Sequence, residues 1–336
     1  MTAPERWHRR HRKKLAALLV VLLLPLLLHF GIGLVTRVSP PEFAAQSGEV
    51  TRSGELATLG PAYAQKHGKI TVVRLAGTPE EIGHQHAKLL YDQMVQSARE
   101  LYAMLDRLVP SKLLQLVIFD VARILHHGVD ANMPKERLRE MAAQAAAFSP
   151  DPFEDRFPTF QRYVYLNSLY DIALGFEHSP MLGCSTFVAT GSRSRGGHTL
   201  LARNFDFEMG GVYDTGKVLF LVHEQGKIPF ASVAWPGLVG VLSGMNAEGL
   251  SLVVHGGRAR ETSSTGEPIV HTTRAVLSEA RTVEQAVALL ETREAMVSHI
   301  LVLADASGAA ISVERAPGER PHARPIQGDL LGVTNH

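Results

Sequence analysis

Gly183-Cys184-Ser185-Thr186-Phe187-Val188-Ala189-Thr190 is followed by the polar turn Gly191-Ser192-Arg193-Ser194-Arg195-Gly196-Gly197-His198, and then by Leu200-Leu201-Ala202-Arg203-Asn204-Phe205-Asp206-Phe207. Two β-rich runs joined by a glycine-containing turn predict a hairpin, with strands over 185–190 and 198–203. The hairpin sets the character of the second half of the chain, and its first strand starts beside the sole cysteine among 336 residues. A lone cysteine forms no intramolecular disulfide, so Cys184 is a packing residue, a partner in intermolecular pairing, or a nucleophile. A thiol attacks carbonyls as thiolate and needs a base, a nearby cation and donors for the oxyanion. Pairing the strands brings the Arg203 end of the second back towards Cys184. Arg203 would then stabilise negative charge on sulfur, and Asp206 would orient the group that moves the proton. That group has two possible sources. One is a histidine, His178 or His198 close by, or His255 or His299 from farther along the chain. The other is the α-amine of Cys184 itself, freed by cleavage of the Gly183–Cys184 bond, whose pKa of about 8 suits a base near neutral pH.

Downstream of the hairpin, short β-rich runs are predicted at 217–224, 229–234, 238–243 and 250–255. Helices follow at 268–280 and 283–294, and strands at 299–304, 309–314 and 329–333. Gly237, Gly240 and Gly244 read as turn glycines, because no helix follows them as a dinucleotide site requires. Upstream, Ile70–Leu75 predicts a strand. Thr78 then suits an N-cap, Pro79 the first helical position, and Glu80 and Glu81 the first turn of a helix running through Ile82, His86, Leu89, Leu90 and Met94 to Leu105. Further amphipathic helices are predicted at 111–126, 134–148 and 155–173. His84, His86, His126 and His127 read as helix-face histidines without metal-ligand spacing. Helices first, then antiparallel strands with helices between them, make the class α+β. Residues 38–68, rich in Pro, Gly, Ser and Ala, read as a linker.

The N-terminus stands apart. Arg9, Arg10, Arg12, Lys13 and Lys14 form a basic cluster, and Leu15 to Val35 is almost free of polar side chains. At about 1.5 Å per residue that run reaches roughly 30 Å, the thickness of a bilayer core. The expected division is therefore a cytoplasmic basic region (1–14), a transmembrane signal anchor (15–37), a linker (38–68) and one large domain (69–336), exported beyond the membrane. A cleaved secretory signal, cut near Phe43-Ala44-Ala45-Gln46, is the alternative. A formal net charge of +1, with 45% hydrophobic and 20% charged residues, describes an ordinary globular body and gives no electrostatic case for nucleic acid.

The block from Gly183 to Phe187, with Arg203-Asn204-Phe205-Asp206, resembles the nucleophile region of the N-terminal-nucleophile (Ntn) hydrolases. Within them it is most similar to the acyl-coenzyme A:6-aminopenicillanic acid acyltransferase family, related to choloylglycine hydrolases and acid ceramidases. Three further stretches are similar to that family's pattern: Gly77-Thr78-Pro79-Glu80-Glu81-Ile82-Gly83, Gly244-Met245-Asn246-Ala247-Glu248-Gly249-Leu250, and Leu331-Gly332-Val333-Thr334-Asn335-His336. The resemblance implies a four-layer αββα sandwich and self-cleavage before Cys184. It implies Cys184 as nucleophile with its α-amine as base, Arg203 and Asp206 as positioning groups, and Asn335 at the oxyanion or the amine. Asn204, Asn246 and His255 are its possible oxyanion or supporting residues, although Asn246 also reads as a plain turn residue. Val254-His255-Gly256-Gly257 stands where relatives carry an oxyanion asparagine, so His255 or a backbone N–H would replace it. The chain stops as the late asparagine motif begins, which reads as a longer protein cut short.

The expected function is a self-activated cysteine amidohydrolase or acyltransferase acting on linear amides through an acyl-thioester, with no cofactor and no metal. Its small-molecule substrate would be lipophilic, given the anchor. The rivals are an unprocessed Cys–His thiol hydrolase and an inactive, membrane-tethered scaffold.

Overall fold

The computed structural model describes residues 14, 20, 23–175, 182–207, 214–258 and 261–335. They form two compact units. The smaller holds the described residues up to Val38 together with Leu105–Gly128, and the larger holds Ser39–Met104 with the residues from Val129 onward.

The larger unit is built on two sheets. Strands β1 (Thr51–Ser53), β2 (Leu56–Leu59), β3 (Ala62–His67), β4 (Ile70–Gly77), β7 (Val218–Glu224), β8 (Phe230–Ala234), β9 (Ser243–Asn246), β10 (Ser251–Gly256), β11 (His299–Ala304), β12 (Ala310–Arg315) and β13 (His322–Pro325) form one sheet in that order. Its neighbours run antiparallel except β4 and β7, which are parallel. The second sheet is β14 (Leu330–Thr334), β5 (Leu182–Gly191) and β6 (Gly197–Phe207), in that order. Period-2 alternation decides which side chains meet between the sheets. Val188 on β5 and Val333 on β14 pack against Val253 on β10, Ile300 and Val302 on β11 and Ala310 on β12. By the same parity Cys184 and Thr186 point into the sandwich with Val188, whereas Ser185 and Phe187 face out and are exposed. Strand β11 is buried along its whole length, as an apolar run covered on both faces must be.

Helices cover the other face of the large sheet. Helix α2 (Pro79–Leu89) begins with a capping box: Thr78 accepts the N–H of Glu81, and the Glu81 carboxylate accepts the N–H of Thr78. Gly83 on α2 lets α5 (Lys135–Ala147) approach closely, since a Cβ there would stand 2.0 Å from the carbonyl oxygen of Glu140. A buried square of charge fastens α5, β7 and α8 (Ile269–Glu279) together. Arg137 pairs with Glu140 at 2.5 Å and with Glu224, while Arg274 pairs with Glu140 at 2.8 Å and Glu224 at 2.9 Å. Helix α9 (Val283–Glu291) follows α8, and its N-cap Thr282 accepts the N–H of Gln285.

Several expectations are corrected. Residues 38–68 are not simply a linker, because 51–67 supply β1 to β3; apart from Leu59, their buried residues are Ala57, Ala62 and Ala64, which carry little apolar signal. The predicted helix over 79–105 is two helices, α2 and α3 (Tyr91–Leu108), broken at Leu90. The helix predicted over 155–173 is also two, α6 (Thr159–Leu166) and α7 (Leu169–Leu174). Between them lies buried Asn167, whose carboxamide binds Tyr163 O at 2.9 Å and accepts from Val239 N at 2.9 Å. That contact also moves the strand predicted at 238–243, since the backbone of 239–241 bonds to Asn167 and Val270 and the ladder starts at Ser243. His86 is a core residue and not a helix-face one. Its Nε2 accepts Gly237 N–H at 2.9 Å, and burial, aided by Arg274, pushes its pKa down to about 3. The expected fourth layer is missing among the described residues: Phe187 and Leu200, on the outer face of the three-stranded sheet, are exposed.

In the smaller unit, residues 23–35 form helix α1 and Lys112–Leu125 form α4. His29 Nδ1 lies 2.9 Å from both carboxylate oxygens of Asp120, and Arg123 Nη1 lies 3.4 Å from Asp120 Oδ1. No helix among the described residues is long and apolar enough to cross a membrane. The expected anchor over 15–37 falls partly on residues 15–19 and 21–22, outside the described ones.

Candidate active site

Cys184 lies where β5 enters the sandwich, in register with Phe205 of β6 and buried to 7% exposure. The bulged hairpin aligns Thr186 with Arg203 and Gly183 with Asp206. Parity then divides the predicted residues. Arg203 and Phe205 face inward with Cys184, and Asn204 and Asp206 face outward.

Arg203 is held by acceptors on two strands of the large sheet and the segment before them. It donates to Leu242 O at 3.2 Å, to Val254 O at 2.7 Å and to Ser243 Oγ. This grip leaves Nη2 3.5 Å from Cys184 Sγ. The guanidinium also sits 4.2 Å above the ring of Phe205, which adds a ring face to the hold of its two terminal nitrogens. A cation fixed beside a sulfur in a buried setting favours negative charge there.

Asn335 follows β14 and binds the backbone at the nucleophile. Its Oδ1 accepts Cys184 N–H at 2.5 Å, and its Nδ2 donates to Gly256 O at 2.9 Å. One carboxamide thus joins the end of β14 to the start of β5 and the end of β10.

His255, fully buried on β10, pairs its Nε2 with Thr186 Oγ1 at 2.6 Å. Burial, with Arg203 nearby, lowers its pKa to about 4. Among the described residues the polar contact of Sγ is Arg203. His299 lies 3.1 Å from Asp171 Oδ1, deep in the core, and His198 sits exposed at the start of β6. His178 lies outside the described residues. The Cys–His pairing allowed by the sequence is therefore not formed by His198, His255 or His299.

Asp206 accepts two bonds from Asn204 Nδ2, at 2.9 and 3.1 Å, on the exposed face. Its carboxylate stands beside Gly183, 3.5 Å from where a Cβ on that glycine would project. Asp206 therefore borders the Gly183–Cys184 bond from outside the sandwich, away from the thiol, while Asn204, in register with Ser185, shares that outer face. Asn246 is removed from the site. Its amide donates to Leu277 O and Ala280 O, and its oxygen accepts from Glu248 and Leu250 N–H. Every polar position of that side chain secures the turn after β9 and the end of α8.

Tyr170 on α7 was not legible in the sequence, because nothing local marks it. Its ring lies 6.1 Å from Phe205, which in turn lies 5.6 Å from Trp235, and 6.2 Å from the stacked ring of His299. Burial, with Cys184 and Asp171 close by, pushes its phenol well above its usual range. Asp171, next in sequence, accepts the N–H of Ile269 at 3.1 Å and holds the start of α8. Thr186 and Ser243 also came only with the fold. Among the described residues no three His, Cys, Asp or Glu side chains converge as metal ligands would.

Residues 193–336 match the sequence pattern of the acyl-coenzyme A:6-aminopenicillanic acid acyl-transferase family. The resemblance read from the sequence is borne out over that part of the chain. An uncharacterized protein of Archaeoglobus fulgidus is 25% identical over 272 residues, covering 76% of this chain; the match spans 43% of that protein's length. Among solved structures, the Caenorhabditis elegans ortholog of N-acylethanolamine-hydrolyzing acid amidase aligns at TM-score 0.38 and 20% identity, over 45% of this chain and 70% of that one. Penicillin V acylase from Agrobacterium tumefaciens aligns at TM-score 0.24 and 19% identity, over 42% and 41%.

Proposed function

We propose, taking residues 193–336 as a member of the acyl-transferase family they match, that the protein is an Ntn-type amidohydrolase or acyltransferase that matures by cutting its own Gly183–Cys184 bond. The observation that carries this reading is the pair of contacts on one residue: Arg203 at the sulfur and Asn335 at the nitrogen of Cys184. The geometry suits a thiol that must attack and a nitrogen that must become a held amine.

In maturation, Sγ attacks the carbonyl carbon of Gly183. The C–N bond breaks, the nitrogen takes up the thiol proton, and a thioester joins Gly183 to Sγ. Water then cleaves the thioester, leaving a carboxylate on Gly183 and a free thiol and α-amine on Cys184. Asp206, beside Gly183 and held by Asn204, supplies a polar group at that bond. In turnover the α-amine, a group whose unperturbed pKa is about 8, accepts the thiol proton. The sulfur attacks a linear amide, the leaving amine is protonated, and an acyl-thioester remains on Cys184 until water or an acceptor amine takes the acyl group.

His255 is a poor rival base. With a pKa lowered to about 4 and its Nε2 engaged by Thr186, it has little driving force to take a thiol proton at neutral pH. In this reading the basic N-terminal cluster stays cytoplasmic and the nucleophile-bearing unit is exported, so a lipophilic acyl group suits the location. The test is to quench the protein with acid during incubation with N-acyl amides of graded chain length, then measure peptide masses. An acyl adduct on the Cys184 peptide, released by hydroxylamine, supports the reading. Amine release without any such adduct contradicts it.

A further inference from the structure

Helix α4 is inside out. Gln115 and Arg123 are buried, and Asp120 is half-buried against His29, whereas Leu113, Leu114, Val117, Val121, Ile124 and Leu125 are exposed. An amphipathic helix in water turns these faces the other way. Each inward polar group is engaged within the smaller unit. Gln115 donates to Asp106 Oδ1 at 2.9 Å and to Val109 O at 2.7 Å, and Arg123 and His29 converge on Asp120. Gly33 on α1 lies close to the Arg123 guanidinium, 3.6 Å from where a Cβ would project, so a small residue admits the arginine to the seam. Helix α1 repeats the pattern, exposing Leu27, Phe30, Leu34 and Val35.

We propose that α1 and α4 seat together in a lipid bilayer, with the polar groups sealed between them and the aliphatic side chains on acyl chains. Three observations favour lipid over a second protein surface. Beyond Lys112 at its first position, the exposed residues of α4 are aliphatic along its length, a continuous apolar face of the kind acyl chains accept. Polar groups paired between helices with apolar residues outside is the arrangement required in hydrocarbon. Helix α1 also continues the apolar run from Leu15, itself flanked by five cationic residues suited to a membrane surface. Helix α4 has 14 residues, about 21 Å of helix, too short for a core of roughly 30 Å. It therefore lies within one leaflet, as a second membrane element beside the N-terminal one. This holds whatever chemistry Cys184 performs.

The experiment uses the full chain carrying Cys184→Ser, so that an introduced cysteine is the sole thiol. Val117→Cys, Val121→Cys and, as a control on exposed Glu284 of α9, Glu284→Cys are labelled with bimane and reconstituted in phosphatidylcholine vesicles with ordinary or brominated acyl chains. Blue-shifted emission at positions 117 and 121, quenched several-fold more by brominated lipid than at 284, is expected. Water-like emission at 117 and 121, or blue-shifted emission that brominated lipid does not quench, overturns the proposal. The latter outcome means that a second copy, or another protein surface, covers α4.

Discussion

Asn335 Oδ1 accepts the backbone N–H of Cys184 at 2.5 Å, across 151 positions of sequence. The residue after β14 thus holds the nitrogen that self-cleavage converts to an amine, and it ties that nitrogen to Gly256 O through its own amide. Asn335→Ala leaves a buried N–H and a buried carbonyl without that partner. Each loss is worth about 1–3 kcal/mol. The expected result is slower appearance of the cleaved form in a time course of intact mass, together with a lower unfolding midpoint.

Arg203 is the charge at the sulfur. Arg203→Met keeps much of the packing on Phe205 and removes the cation. Alkylation of Cys184 by iodoacetamide at neutral pH should slow, and amide turnover should fall by about 10², the scale of losing one fixed electrostatic donor. An unchanged alkylation rate would place the control of thiol reactivity elsewhere.

Burial makes His255 a source of acid sensitivity. Its pKa is lowered from 6.5 to about 4, so the unfolded chain takes up a proton that the folded one refuses over that range. The stability present above pH 6.5 is therefore lost as pH falls towards 4. His86 and His271, each lowered to about 3 chiefly by burial, act in the same direction. Urea midpoints measured between pH 7 and pH 4 should fall, and His255→Asn should fall less than the parent.

The square of Arg137, Glu140, Glu224 and Arg274 joins two helices to the end of β7, in the middle of the large sheet. Arg274→Met leaves two buried carboxylates sharing one arginine, a change expected to cost about 3–5 kcal/mol in urea denaturation. Gly83→Ala should also destabilise, because its Cβ would collide with the α5 backbone at Glu140 O.

What the sequence could show depended on how local each signal is. The β5–β6 hairpin was legible because its alternation and turn lie in one stretch, and so was the capped start of α2. Arg203 followed from strand pairing alone. The direction of Asp206 did not, because the bulge between Ala189 and Gly191 and the parity of β6 decide which face it takes. Strands β2 and β3 were hidden by their buried alanines, and β1 and β13, exposed throughout, carried no apolar alternation. Tyr170, Thr186 and Ser243 reach the site through contacts between distant elements, which one sequence does not display. Asn246 was drawn into the site by motif position, yet its four hydrogen bonds are spent on a turn and a helix end.

The most direct test of self-activation at Cys184 is intact mass and N-terminal sequencing of the purified protein beside Cys184→Ala. The account predicts a fragment whose first residue is Cys184 in the parent and an uncut chain in the variant. A parent chain that stays whole while hydrolysing amides, or a variant still cut between Gly183 and position 184, would contradict it.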